Sequence, residues 1–527
     1  MFSIYELLFG MRFPVRLAFM LRRRVTSEEA RSVMRRRFEN RANDFLALVR
    51  EAIYPFPDNP YRKLLDHAGC EYGDLEKRVN EDGLEGALHV LYRNGVFMTV
   101  EEFKGRKRLI RGSLSMHVEP AQLHNTALPG HLWLQSSGSR GTQTSVAFDL
   151  GYLRDRAVDT RMVLDVCGGG GWRHALWNVP GGSSLFTLLH FSLCGSPFVH
   201  WMSPVDAAAA GLHPRYRWSA RLLRLGGGLG GSRFPAPCFV PVDEPLSIAQ
   251  WMKTTLQAGE TPHLWTHVSS AARLCEAAHD AGIDLEGARF TIGGEPVTEA
   301  RLRVIHGVGA KAMPLYASIE ASTVGLGCLE PAAPDDLHFL HDLLALIQPG
   351  NDESDFGLPP KALLVSSLRS SCPMILLNAS MGDQGVLARR DCGCPLDGIG
   401  WKIHLHNVRS FEKLTSGGMT FLDVDVIRVL EEVLPARFGG TPIDYQLLEE
   451  EDDQGRPRVK LLVHPALGPI DARELTRTFL DAIGNGSGAE RIMGLLWRDS
   501  DMLVVERRPP LSTATGKILH LHSPSGR

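Results

Sequence analysis

The apolar positions divide the chain into three textures. From Ser27 to about residue 70 the spacing is helical: Ser27-Glu28-Glu29 is suited to open one helix, and Phe45, Leu46 and Val49 fall on one side of the next. Asp58-Asn59-Pro60 interrupts that pattern, because proline has no N–H to continue a helix. From about residue 130, short apolar runs alternate with Gly-rich turns and helical stretches, as α/β architecture requires. Met162–Val166, ahead of Gly168–Gly171, and Ala362–Val365 are examples. The texture changes again near Arg409, where a polar, Gly-bearing stretch reaches Thr420. After it come helical 423–434, strand-like 458–463, helical 471–483 and strand-like 502–506. The acidic run Glu449–Asp453, followed by Gln-Gly, reads as a solvated hairpin loop. The pattern therefore predicts an α/β fold in two parts: a large multi-layer N-terminal domain, residues 1–408, and a small α+β C-terminal domain, residues 409–527.

Met1 to Met20 carries apolar stretches broken by Arg12 and Arg16, ahead of Arg22-Arg23-Arg24. No run approaches the ~20 apolar residues of a membrane span. The positive charge also lies on the wrong side of the apolar part for a signal peptide. The spacing predicts an amphipathic helix packed on its own domain, the alternative being a basic helix that touches a membrane or partner. Composition narrows the picture further. The 527 residues include 57 Lys plus Arg against 60 Asp plus Glu, a net charge of -3, which leaves no global field for gripping nucleic acid. At 44% hydrophobic and 22% charged, the chain has ordinary globular usage, which excludes wholesale disorder. Nine scattered cysteines with no secretory leader fit a reducing cytoplasm.

Four motifs carry chemistry. Ser136-Ser137-Gly138-Ser139-Arg140-Gly141-Thr142-Gln143-Thr144 combines hydroxyls with glycines, which let successive backbone N–H groups face one anion. Thr291-Ile292-Gly293-Gly294-Glu295-Pro296 is a strand ending in Gly-Gly, where a flat ring can approach backbone closely; Tyr316-Ala317-Ser318-Ile319-Glu320 then supplies a stacking aromatic and a carboxylate suited to Mg²⁺. Asp383, in Gly382-Asp383-Gln384-Gly385, can accept hydrogen bonds from both hydroxyls of a ribose. Ser512-Thr513-Ala514-Thr515-Gly516-Lys517 fixes a lysine beside a Gly turn, from which it can be delivered to phosphate oxygens.

In order and spacing these motifs resemble those of the adenylate-forming superfamily of acyl-CoA synthetases, adenylation domains and luciferases, over nearly the whole chain. The phenylacetate–CoA ligase-like branch is the most similar part of it, with the acyl-protein synthetases as relatives: Thr144 ends the phosphate loop where other branches have Lys, and Asn59-Pro60-Tyr61-Arg62 resembles its N-terminal Pro-Tyr pattern. The resemblance implies phosphate contacts from Ser136, Ser137, Gly138, Ser139, Gly141 and Thr142, and an adenine site at Gly293, Gly294, Glu295, Tyr316, Ala317 and Ser318. It implies ribose binding by Asp383, a hinge opened by Arg409, Mg²⁺ at Glu320 and adenylation by Lys517. The usual hinge Asp is missing, which leaves Phe411 or Glu412 as the pivot; Leu511 stands where a Pro often precedes the terminal motif. A Cys after the catalytic Glu, a later Leu-His and a Cys-x-Cys recur in that branch, so Cys328, His338, Cys392 and Cys394 are expected to hold a structural Zn²⁺, with His404 and His406 as competing nitrogen ligands.

The implied activity is ATP-dependent activation of a small carboxylic acid as its adenylate, then transfer to the thiol of CoA or of a carrier protein's phosphopantetheine supplied in trans. The rivals are an amine or intramolecular hydroxyl as acceptor, and a non-catalytic protein that binds an acyl-adenylate. The acid pocket is expected around Trp172–Trp177, Phe186–His200 and Gly226–Phe234.

Overall fold

The computed structural model describes residues 15–126, 128, 132–135, 145–206, 224–225, 227–350, 356–411, 415–416, 419–420, 423–451, 457–484, 503–513 and 516–522. Helices α1 (Ser27–Glu39), α2 (Arg41–Ala52), α3 (Pro60–His67) and α4 (Tyr72–Arg93) follow the helical texture of the N-terminal region. Helix α1 opens at Ser27, as its sequence suggests, and Thr26 caps it, its hydroxyl accepting from Glu29 N. Asn59 caps α3 and Pro60 occupies its first turn, so the motif that breaks one helix also starts the next. The stretch before α1 is helical from residue 15, with Leu17 and Leu21 buried and Phe19 exposed. No helix among the described residues is long and apolar enough to cross a membrane.

Met162–Val166 is not a strand. It lies inside α5 (Leu150–Cys167), which Asp149 caps and Gly168 ends at φ 69°. The five-residue run is apolar enough for a strand, but Leu153, Ala157 and Val158 extend it backwards at helical spacing and, like Met162, are buried.

Twelve strands form the main sheet: β1 (Arg173–Trp177), β2 (His200–Ser203), β3 (Pro237–Phe239), β4 (Pro262–His267), β5 (Arg289–Gly293), β6 (Lys311–Ser318), β7 (Ser322–Gly327), β8 (Leu337–Phe339), β9 (Leu344–Ile347), β10 (Ala362–Ser367), β11 (Ala379–Arg389) and β12 (Ile403–Ser410), in the order 9-10-11-12-8-7-6-5-4-1-2-3. The half from β6 to β3 is parallel, joined by α6 (Gly182–Leu193), α7 (Leu246–Gln257), α8 (Val268–Asp280) and α9 (Glu299–Gly307). Parallel neighbours need such crossovers; α7, α8 and α9 bury one side of that part of the sheet in its own apolar cluster, while α6 packs in the larger cluster with the N-terminal helices. The other half is antiparallel and packs against the N-terminal helices.

Beyond β12 the chain builds a second sheet and core. Helix α10 (Asp423–Arg428) passes through a wider π turn (Val429–Val433) into α11 (Leu434–Phe438). Strands β13 (Tyr445–Glu451), β14 (Pro457–Val463), β15 (Leu503–Arg507) and β16 (Leu521–His522) pair in the order 15-14-13-16, with α12 (Ala472–Gly484) packed on them. The acidic hairpin loop is shorter than expected, because Glu449, Glu450 and Glu451 belong to β13. Lys460 on β14 supports this pairing: its ammonium lies 2.7 Å from Glu450 and 2.9 Å from Glu506, so the Glu450 charge is offset across the sheet. Arg409 and Ser410 still pair with Gln384 and Asp383 in the large sheet, so β12 runs two residues past the expected domain boundary.

Candidate active site

His267 pairs with Gly293, and Gly293 with Leu315, so β4, β5 and β6 end along one edge. Open α/β sheets hold ligands in the crevice outside such carboxyl ends. Gly293 admits no side chain, since a Cβ there would lie 2.6 Å from the Leu315 carbonyl oxygen. Gly294 follows at φ 78°, a left-handed conformation that favours glycine. A Cβ on Gly294 would lie 2.9 Å from Lys517 Nζ and 3.0 Å from His267 Nδ1. The lysine of the C-terminal motif therefore stands directly over the end of β5.

Several contacts seat it there. Ser269 Oγ accepts from Ile518 N at 3.1 Å, and Arg273 donates to Ser512 Oγ at 3.0 Å. Ala272, Ile443 and Ile518 form a small apolar contact between the two parts of the chain. Beside it lies a buried polar network: Arg301 Nε is 2.7 Å from Glu431, which also bonds His520 at 2.6 Å and Thr298. Burial by itself would raise the Glu431 carboxyl, but Arg301, His520 and Thr298 outweigh it and hold it down at about 2. Arg301 comes from α9, and Glu431 from the π turn of the small domain.

Glu295 lies at the expected edge, where its Oε2 accepts from Ser269 N at 2.9 Å and Ser269 Oγ at 2.8 Å, capping the first turn of α8, while its Oε1 lies 3.7 Å from Arg301 with no hydrogen-bond partner among the described residues. Tyr316 donates to Asp383 Oδ2 at 2.8 Å, joining two of the expected nucleotide residues across the sheet. Burial, then the charges of Asp383 and Glu320, push the Tyr316 phenol well above its ordinary range, so it remains a donor. Ala317 is exposed beside it, and Ser318 Oγ accepts from Ala321 N at 3.0 Å, fixing the turn that carries Glu320. Glu320 is buried, and its Oε1 has no hydrogen-bond partner among the described residues, a position that fits a cation. Arg409 is held by Asp335 at 2.8 Å, and Asp335 also accepts from Asn407 N and Val408 N. Ser136, Ser137, Gly138, Ser139, Gly141 and Thr142 lie outside the described residues, as does Glu412.

Away from this edge, the ligand atoms of Cys328, His338, Cys392 and Cys394 all lie within 4.8 Å of one another. His338 Nδ1 faces the Trp401 carbonyl at 2.6 Å, which leaves Nε2 turned to Cys394 Sγ at 3.2 Å and Cys392 Sγ at 3.7 Å. A carbonyl on the second ring nitrogen is the usual support of a metal-binding histidine, and two or three soft sulfurs with one nitrogen suit Zn²⁺. His404 stands beside this set with Nδ1 on Asp336 at 2.8 Å, and His406 is not part of it. Two of the three segments expected to form the acid pocket, Trp172–Trp177 and Phe186–His200, meet in an aromatic cluster, where His174 faces Phe191 at 5.0 Å and Phe198 at 5.9 Å.

No family model and no curated relative matches the chain. Among solved structures, 2-hydroxyisobutyryl-CoA ligase in the postadenylation state with 2-HIB-AMP superposes with a TM-score of 0.54 at 13% identity, covering 95% of this chain and 90% of that one. The same ligase with R3-HIB-AMP gives a TM-score of 0.50 at 13% identity, covering 96% and 92%. The fold is the adenylate-forming fold. Within it, the edge of β4 to β6 brings Gly293, Gly294, Tyr316, Asp383 and Lys517 together from distant parts of the chain. Sequence reasoning missed His267, Ser269, Arg301 and Glu431. His267 had a weak signal, a polar residue at the junction between an apolar strand run and a helical one, while the Arg301–Glu431 contact had none.

Proposed function

We propose that this protein is an AMP-forming ligase that activates a carboxylic acid as its acyl-adenylate and passes the acyl group to a thiol of CoA or of a carrier-protein phosphopantetheine. The observation that carries this reading is Lys517 standing over Gly294, at the edge that also presents Tyr316 and Asp383. In the first step the carboxylate attacks the α-phosphate in line and pyrophosphate leaves; catalysis is positioning and charge neutralisation. The adenine ring would lie along the Gly293–Gly294 backbone, beside the space off Gly294 that Lys517 and His267 fill. Asp383 keeps one oxygen for the ribose while Tyr316 orients the other. Lys517 bridges the carboxylate and phosphate oxygens. Glu320 would hold Mg²⁺, which when bound offsets phosphate charge. Cys328, His338, Cys392 and Cys394 would hold a structural Zn²⁺, since four protein ligands leave no open position.

In the second step the lysine must make room for the acceptor on the same side of the adenylate. Residues 1–411 and the small domain after them then act as two bodies, with the pivot after Phe411, whose N–H still donates to Gly382 O at 3.0 Å in the large sheet. A panel of aromatic, fatty and amino acids in ATP–pyrophosphate exchange tests the reading. Acid-dependent exchange is expected, and its absence with every acid defeats the proposal. Product mass with CoA, carrier protein or amine identifies the acceptor.

A further inference from the structure

His267 is the last residue of β4 and the cap of α8, and neither the motifs nor the proposed first step uses it. Its Nδ1 lies 3.3 Å from the Gly293 carbonyl oxygen. A carbonyl only accepts, so Nδ1 carries the proton and the lone pair is on Nε2. That Nε2 is buried and has no hydrogen-bond partner among the described residues. The ring also shares the space in front of Gly294 with Lys517, since one point off Gly294 lies within 3.0 Å of the Nδ1 and of the Nζ. A base of fixed tautomer, with an unused lone pair, thus adjoins the group that must leave before the acceptor can enter.

Resting on the ligase reading above, we propose that His267 is the proton acceptor of the transfer half-reaction and that the position of Lys517 switches it. While the lysine is docked, His267 is a poor base. Burial and then the lysine's charge push its imidazole down to about 3, and Lys517 is the charged group acting on it. When the small domain carries the lysine away, that repulsion goes and the edge opens to solvent, so proton affinity rises towards the ordinary histidine range. The acceptor S–H or N–H bond then breaks as sulfur or nitrogen bonds the acyl carbon. The acyl C–O bond to phosphate breaks, AMP leaves with that electron pair, and the proton ends on Nε2. Redocking of Lys517 returns it to water.

Two measurements test this. The first follows the His267 ¹³Cε1 signal, identified by its loss in His267→Gln, in wild type and Lys517→Met. Its titration midpoint should rise by at least ~1 pH unit in Lys517→Met, the size of a nearby opposite or like charge effect; an unchanged midpoint overturns the switch. The second compares single-turnover rates of adenylation and of transfer from a preformed adenylate. In His267→Gln the ratio of transfer to adenylation should fall ~10²-fold or more, as for loss of a general base, and the ascending limb of the transfer pH profile should vanish. Parallel slowing of both steps with an unaltered pH profile overturns the base. If wild type adenylates no acid, the ligase reading and the base fall together, and the Lys517-dependent titration is left as a coupling without that chemistry.

Discussion

At the scale of single residues, the site depends on side chains that are oriented by other side chains. Tyr316 both lines the proposed nucleotide edge and fixes one oxygen of Asp383. Tyr316→Phe should therefore raise the KM for ATP about tenfold or more, since a hydrogen bond to a charged group is worth ~1.5–3 kcal/mol, with a smaller change in kcat. Steady-state kinetics with ATP varied checks this. In the proposed first step Lys517 would act differently, because its charge is needed while carboxylate and phosphate oxygens approach one another. Lys517→Ala should lower pyrophosphate exchange ~10²–10³-fold, the usual loss for one preorganised donor, while a supplied acyl-adenylate is still consumed. The motifs around both residues were legible in the sequence, because a Tyr-x-x-x-Glu or a Thr-x-x-Gly-Lys turn keeps its chemistry within a few contiguous positions. His267 was not legible in the same way. Its importance comes from Gly293 and Lys517, which only the packed edge brings to it.

At the scale of elements, the cysteine cluster ties β8 and β12 to the segment between β11 and β12. His338 sits on β8 paired with His404 of β12, while Cys392 and Cys394 lie in that connecting segment. Cys394→Ser should lower zinc content from about one per chain, the stoichiometry of a closed site, and lower Tm as well. Metal analysis with calorimetry decides it, and zinc-free protein of unchanged Tm removes the site. Element identity was mostly readable from periodicity, and it failed where the window was too short. Met162–Val166 looks like a strand until α5 is read from Asp149, and Glu449–Glu451 look like loop until Lys460 is seen opposite. In both cases the deciding partner lies outside the run itself.

At the scale of the whole molecule, the two domains meet through charges that titrate. Glu276 on α8 faces Thr441 and Asp444 of the small domain, with Arg273 and Asp280 nearby. Burial, opposed by the Thr441 hydrogen bond and reinforced by Asp444, pushes its carboxyl up to about 7. In the proposed two-body motion, the docked state binds a proton that the undocked state, at an ordinary carboxylate value, would release. The contribution to docking is complete below about 4.5 and is lost as pH rises through about 7. Small-angle scattering or interdomain energy transfer should show the docked population falling across that window, and Glu276→Gln should flatten the dependence. Glu431 runs the other way: held at about 2, it supports docking above the ordinary carboxylate range and loses that support only in strong acid. By itself the sequence determined the motifs, the two-part division and most helices and strands, because each rests on neighbours within a few residues along the chain. Tertiary structure alone decided that Lys517 meets Gly294, that Glu295 caps α8 through its Oε2, and that Arg301 finds Glu431. Those are contacts between groups far apart in the chain, and their energies come from burial and geometry that no local pattern encodes.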